Sequence, residues 1–271
     1  MAKVVFDHVF KKFGDVTAVN DLNIEVKDKE FLVLVGPSGC GKTTLLYLLA
    51  GLRLPGGGAV RIGGERIARP RPRTGLILQD FGLLPWATVR DNVALGLRIR
   101  GFYGPDGKHA PAGEAVTVRR EITQAWLDRL GLSHVAGNYP AQISGGQRQR
   151  TAIARTLALQ PDVLLMDEPF AALDALAREA LHLELQRLWS ATGKTIVVVT
   201  HNVREALVLG DRVLVLSASP GRIKSEFRCD LPRPRSMESH SLVDMAQAIL
   251  SDLRSEVQAA QEDIRRDRLA P

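Results

Sequence analysis

Between residues 31 and 50 three kinds of sequence follow one another without a spacer. They are the apolar Phe31-Leu32-Val33-Leu34-Val35, the glycine-rich Gly36-Pro37-Ser38-Gly39-Cys40-Gly41-Lys42-Thr43, and Thr44-Leu45-Leu46-Tyr47-Leu48-Leu49-Ala50. The first run is short and unbroken enough for a strand covered on both faces, and the last has the apolar density of a helix. The loop between them must turn a buried strand directly into a helix. Gly36 and Gly41 bracket four residues ahead of Lys42 and Thr43, the P-loop spacing. In that pattern backbone N–H groups wrap phosphates, the lysine reaches the outer two, and the threonine hydroxyl binds Mg²⁺. The N-terminus of the helix adds partial positive charge beneath the anion. The chain is therefore expected to bind a nucleotide.

Further unbroken apolar runs occur at 75–78, 163–166, 196–199 and 213–216, with helical stretches between several of them. This pattern predicts an α/β fold, a P-loop core with a mostly parallel sheet. Lys3 to Phe10 and Asp21 to Val26 alternate instead, as half-exposed strands of a small antiparallel β layer do. Helical spacing over Val89 to Ile99, Arg119 to Leu130 and Gln147 to Leu159 predicts an inserted helical subdomain at about 86–159. The breaker-rich stretch from Gly101 to Gly113 within it reads as an exposed loop. Past the domain at 1–225, Pro232-Arg233-Pro234-Arg235 reads as an extended link in a 226–271 segment. Within that segment Leu242, Met245, Ile249, Leu253, Val257 and Ile264 mark one face of an amphipathic helix expected to dock on the chain's own core.

A chain of 271 residues with 45% hydrophobic content can bury a substantial core. No run is long enough in apolar residues to cross a bilayer, and the first residues lack a secretion signal's layout, so the expected location is the cytosol. Two cysteines cannot build a disulfide framework, and Cys40 reads as a small filler of the phosphate loop. Of the net charge of +6, most is local: residues 53–73 carry six arginines against Glu65 alone. No aromatic residue is interleaved there to stack bases, so nucleic acid is not an expected partner.

The chemistry-bearing residues recur at strand ends. Val163-Leu164-Leu165-Met166 delivers Asp167 and Glu168 at its carboxyl end, where open α/β sheets bind ligands. Asp167 suits holding Mg²⁺ through water, and Glu168 suits polarising the attacking water. Gln79 and His201 close two other strands and can supply an amide and an imidazole donor to the same chemistry. A second glycine loop, Ile143-Ser144-Gly145-Gly146-Gln147, also opens a helix and offers N–H donors to an anion.

In this order GPSGCGKTT, Gln79, ISGGQRQR, LLMDEP, AALD and the His201 strand end resemble an ATP-binding-cassette ATPase over residues 1 to about 225. The resemblance implies ATP and Mg²⁺ as cofactors, bound by residues Gly36 to Thr43 with Thr44. It implies Phe13 as the aromatic stacking on adenine, a position more often tyrosine in the family. It also implies that Ser144, Gly145, Gly146 and Gln147 bind the γ-phosphate of ATP held by a second subunit, with Asp174 crossing the same interface. Thr43, Gln79 and Asp167 would hold the metal, and Glu168, Gln79 and His201 would carry catalysis. Ile143 stands where the family usually has leucine, a conservative change.

The stretches at 81–97, 167–178 and 200–223 look like the ATPase subunit of bacterial importers of nitrate, sulfonate, taurine or bicarbonate. That group implies a second ATPase subunit, separate integral membrane permease subunits and, indirectly, a solute-binding protein, with the ATPase on the cytoplasmic face of the inner membrane. The segment from Gln79 to Thr88 would then meet the permease, with Phe81, Leu83, Leu84 and Trp86 partly exposed. The alternative is a soluble ATPase of the same family acting on ribosome or DNA. Such proteins usually carry two cassettes or a long coiled coil, and this chain has one cassette and no sustained heptads. A kinase or GTPase on a P-loop core leaves the second glycine loop unexplained.

Overall fold

The computed structural model describes residues 3–103, 116–171, 173–237 and 239–269, with backbone alone for 101–103 and 257–269. Beyond Tyr103 the stretch expected as a loop lies outside the described residues, as do the side chains of Val257 and Ile264. In chain order the strands and helices begin β1 (Val4–Phe13), β2 (Val16–Val26), β3 (Phe31–Val35), α1 (Lys42–Leu49), β4 (Gly57–Ile62), β5 (Glu65–Arg66), β6 (Thr74–Ile77), α2 (Val89–Tyr103) and α3 (Val116–Arg129). They continue with α4 (Gly145–Leu157), β7 (Val163–Asp167), α5 (Ala175–Thr192), β8 (Thr195–Thr200), α6 (Val203–Leu209), β9 (Arg212–Leu216), β10 (Ile223–Arg228) and α7 (His240–Leu269). The chain divides into two compact units, one of residues 1–70 with 182–271 and one of residues 71–181.

In the first unit an antiparallel sheet runs in the order β2-β1-β4-β5. Its alternation is the one the sequence predicts: Val4, Phe6 and Val9 of β1 are buried while Asp7 and His8 are exposed. β1 runs on to Phe13, past the expected end at Phe10. The unit's second sheet contains β10-β9-β3-β8 as consecutive neighbours. Every residue of β3 and β8 is buried, which is why these runs need no polar alternation. β3 lies parallel to β8 and to β9, with Val35 opposite Thr200 and Val215. The loops after Val35, Thr200 and Leu216 therefore leave the sheet at one edge.

Two features here depart from expectation. The chain forms an added antiparallel strand, β10, on the edge of β9. Arg235, expected in an extended link, is only 5% exposed. Its guanidinium donates to the carbonyls of Leu207, Gly210, Leu231 and Cys229, and its backbone exchanges two bonds with the Gln186 amide. Arg235 thus pins the end of the link to the interior, while Pro232 and Pro234 stay exposed. Beyond it α7 docks as expected, burying Leu242, Ala246 and Ile249 at helical spacing on the side that meets α6 and β9.

In the second unit β6 and β7 pair in parallel, Ile77 opposite Met166, and α2, α3 and α4 pack on one another. Val93, Leu97, Leu127, Ala152 and Ile153 are fully buried there. α2 continues to Tyr103 rather than ending near Ile99. Arg71 grips Asp162 with both guanidinium arms, so the basic stretch at 53–73 is partly neutralised within the fold. Burial pushes the Asp162 carboxyl up, but Arg71 and Arg73 outweigh it and hold the group below the usual carboxylate range.

Replacing Arg235 with alanine would leave several buried carbonyls without a donor, each worth about 1–3 kcal/mol. A loss of about 3 kcal/mol or more is expected, read as a lower urea midpoint than that of the unsubstituted protein.

Candidate functional site

The glycine-rich loop fills the turn between β3 and α1, and its geometry is set by backbone atoms on two sides. Gly41 has φ of 94°, and a Cβ there would stand 2.6 Å from the carbonyl oxygen of Ala18 in β2. Only glycine fits both the left-handed backbone and that approach. On the other side the turn between β9 and β10 brings Gly221 so close that a Cβ would stand 2.2 Å from the Cys40 carbonyl oxygen. Gly221 also bonds to β2, its N–H donating to Ala18 at 3.1 Å and its carbonyl accepting from Asn20 at 3.2 Å.

Inside the loop Lys42 is 7% exposed, and its ammonium donates to the carbonyls of Gly36 at 2.7 Å and Pro37 at 2.9 Å. Cys40 is fully buried beneath it, as expected of a filler. Burial pushes the Cys40 thiol up further than nearby Lys42 lowers it, so it is an inert thiol at neutral pH. Ser38, Gly39 and Thr43 face solvent, and the first turn of α1 carries no acidic side chain to compete for an anion.

Phe13 ends β1 and is 39% exposed, so it is not a core residue. The Lys11 ammonium and the Arg53 guanidinium each lie 5.3 Å from its ring centre. Arg53 was read as part of a basic stretch with no aromatic in its sequence; the fold supplies one from β1. His201 follows β8 and is exposed, while Asn202 caps α6 by accepting from the N–H groups of Arg204 and Glu205. In the first unit, then, the phosphate loop and His201 leave adjacent parallel strands at the same edge.

In the second unit Gln79 follows β6, and the parallel neighbour β7 ends in Asp167 and leads into Glu168 at the same edge. Asp167 is 5% exposed. Glu168 has φ of 43°, a conformation rare for a residue with a side chain. Such backbone costs on the order of 1–3 kcal/mol and clusters where function demands a particular side-chain direction.

After Gln79 the chain turns sharply, and Arg155 of α4 bonds the carbonyls of Phe81 at 2.7 Å and Gly82 at 2.6 Å. This arginine escaped the sequence reading because nothing in its helical context marks it. It holds the turn inward, and Phe81 is only 6% exposed, correcting the expectation that Phe81 is partly exposed. Leu83 and Leu84 are half-buried as expected, and Trp86 is 75% exposed.

The second glycine loop starts α4 through reciprocal bonds. The Ser144 hydroxyl accepts from the Gln147 N–H at 3.2 Å, and the Gln147 amide oxygen accepts from the Ser144 N–H at 2.9 Å. Ser144 is exposed, and no acidic residue lies in the first turn. Asp174 caps α5 by accepting from the Ala177 N–H at 2.9 Å, beside Leu176, which is 80% exposed.

Compared with known proteins, the chain matches the family model described as ABC transporter over residues 19–171. It is 45% identical over 242 residues to an uncharacterized ABC transporter ATP-binding protein of Methanocaldococcus jannaschii, covering 89% of this chain and 86% of that one. It is 42% identical over 226 residues to the taurine import ATP-binding protein TauB of Escherichia coli, covering 83% and 84%. Among solved structures, an ATP-binding cassette in a dimeric post-hydrolysis state with ADP and Pi superposes with a TM-score of 0.72 at 31% identity. That match covers 86% of this chain and 99% of the cassette.

Gly221→Ala would drive a methyl group into the Cys40 carbonyl, a rigid backbone contact with no flexible side chain to give way. Affinity for a nucleoside triphosphate, measured by titration with a fluorescent analogue, is expected to fall at least tenfold.

Proposed function

The chain belongs to the ABC transporter family and is an ATP-binding cassette ATPase, and from that premise we propose that it drives a separate membrane permease of an importer. Taurine, other sulfonates, nitrate and bicarbonate are the solute class proposed. The observation that carries the importer reading is the likeness to the taurine import protein across 84% of that protein's length.

In this reading Gly36 to Thr44 wrap the phosphates and Phe13 stacks on adenine, worth about 1–3 kcal/mol by analogy with base stacking. The exposure of Phe13 supports that assignment. Lys42 exchanges its bonds to Gly36 and Pro37 for bonds to phosphate oxygens. Glu168 accepts a proton from the water that attacks the γ-phosphorus as the bond to the β–γ bridging oxygen breaks, and Gln79 orients that water. His201 donates to the γ-phosphate. The strained backbone of Glu168 supports its role.

Thr43, Gln79 and Asp167 are hard oxygen donors of the kind Mg²⁺ prefers. Among the described residues no group of His, Cys, Asp and Glu could hold a metal by itself. Mg²⁺ therefore fits as an ion that arrives with the triphosphate, where it neutralises phosphate charge.

Ser144, Gly145, Gly146 and Gln147 meet the γ-phosphate of ATP on a second copy, and Asp174 lines the same contact. Two copies thus close around two nucleotides, and the permease moves because ATP prefers the closed pair. The exposed Trp86 and half-buried Leu83 and Leu84 suit contact with a permease helix. No helix among the described residues is long and apolar enough to cross a membrane. The permease reading carries with it a peripheral place on the cytoplasmic face of the inner membrane. A solute-binding protein completes the importer.

Glu168→Gln is expected to keep ATP binding, lower turnover by 100-fold or more, and accumulate as a nucleotide-bound dimer in size-exclusion chromatography. A freely dissociating, fully active variant would refute the role. Ser144→Arg is expected to leave ATP binding by the single chain within about twofold of normal while abolishing turnover, with binding read by titration and turnover by phosphate release. Equal loss of both would assign the second loop to the same chain's site. Strong salt-sensitive binding to RNA or DNA, without association with permease-containing membranes, would sink the transporter reading in favour of the soluble one.

A further inference from the structure

We propose that Glu256 of α7 is a positioning residue for the phosphate loop, acting through the turn between β9 and β10. This rests on the reading of Gly36 to Thr43 as the ATP site, and on a continuous set of contacts within the first unit.

The turn at 217–222 is internally braced. Ser217 donates its N–H to the Arg222 carbonyl at 2.9 Å, and its hydroxyl accepts from the Arg222 N–H at 3.0 Å. A turn closed in this way moves as one piece. One side of it meets the phosphate loop through Gly221, backbone against backbone, at the Cys40 carbonyl. Its other side meets α7. The Ala218 N–H donates to Glu256 at 3.0 Å, and Lys224 pairs with the same carboxylate at 3.0 Å. Just past the turn, in β10, Lys224 also donates to the Asp252 carbonyl at 2.9 Å and the Ser225 hydroxyl donates to the Asp252 carboxylate at 2.5 Å, which keeps the neighbouring strand against the same stretch of α7.

Burial raises the pKa of Glu256, but the bonds from Lys224 and the Ala218 N–H outweigh it and hold the group below its ordinary value. It is therefore charged at neutral pH and keeps its grip there. Glu256 continues the docking face of α7 about two turns beyond Ile249, so the buried residues that hold the helix, Leu242, Ala246 and Ile249, lie nearer its start and do not depend on the carboxylate. Removing one carboxylate should thus release the turn without releasing the helix. The phosphate loop would lose a wall, and the lost order would appear as weaker capture of phosphate.

The test is hydrogen–deuterium exchange in peptides spanning 36–43, read without nucleotide in the full chain, together with ATP titration. Glu256→Ala is expected to speed exchange at 36–43 threefold or more and to weaken ATP binding threefold to tenfold. Glu256→Gln keeps an acceptor for the Ala218 N–H while losing the pairing with Lys224, and should fall between. Gly221→Ala gives the upper limit of the same response. Faster exchange confined to 217–226 or to α7, with 36–43 unchanged in both Glu256 variants, would overturn the inference even where ATP binds normally. Should the unsubstituted chain fail to bind ATP, the reading of the loop fails by itself, and exchange at 36–43 still decides whether α7 orders it.

Discussion

The phosphate loop is held between two pieces of backbone that come closer than any side chain would permit. A Cβ on Gly41 would meet the Ala18 carbonyl at 2.6 Å, and one on Gly221 would meet the Cys40 carbonyl at 2.2 Å. These contacts tie the loop to β2 on one flank and to the β9–β10 turn on the other, so its shape is set by the register of sheets rather than by its own weak preferences. A loop that must offer backbone N–H groups to an anion cannot spend those groups on holding itself together. Outside clamps resolve that conflict, and the small residues of the loop are the condition for them.

The same logic explains why β3 and β8 beside it are short and wholly buried. β3 and β8 are buried along their full length, so each is fixed in depth, and whatever follows its last residue is delivered to one edge with little slack. Lys42 and His201 in the first unit, and Glu168 in the second, follow such strands, while Gln79 follows β6, which is buried only at Gly75 and Ile77. Glu168 shows the strength of this arrangement. Its left-handed backbone, at φ of 43°, comes directly after the last buried residue of β7, so the surrounding structure holds a conformation that the residue by itself would not favour.

What could be read from the sequence follows from these causes. Buried strands and phosphate loops impose local patterns, so β3, β7, β8, β9 and the strand ends bearing Asp167, Glu168 and His201 were legible. Contacts distant in sequence were not. Arg155 and Arg235 look like ordinary charged residues in helical and proline-rich contexts, yet each is defined by carbonyls far along the chain. Phe81 was misjudged for the same reason, since its burial is imposed by Arg155. β10 carries an alternating pattern too short and too polar to separate from a loop, and it forms because β9 offers an open edge.

Ser144 shows how far local chemistry goes toward an assembly. At the start of α4 the reciprocal bonds between Ser144 and Gln147 occupy the N–H groups of those two residues. The first intrahelical bond runs from the Arg148 N–H to the Ser144 carbonyl. The N–H groups of Gly145 and Gly146 therefore belong to a helix start with no intrahelical acceptor for them, in a first turn that has no acidic side chain. Glycine keeps both approachable. Such a helix start gains most from an anion that it does not itself carry, and α1 has the same deficit in its own first turn. If the phosphates satisfying α1 also satisfy α4 of another copy, each nucleotide contributes to both chains at once, and the affinity gained on closing is available to move whatever the pair is attached to.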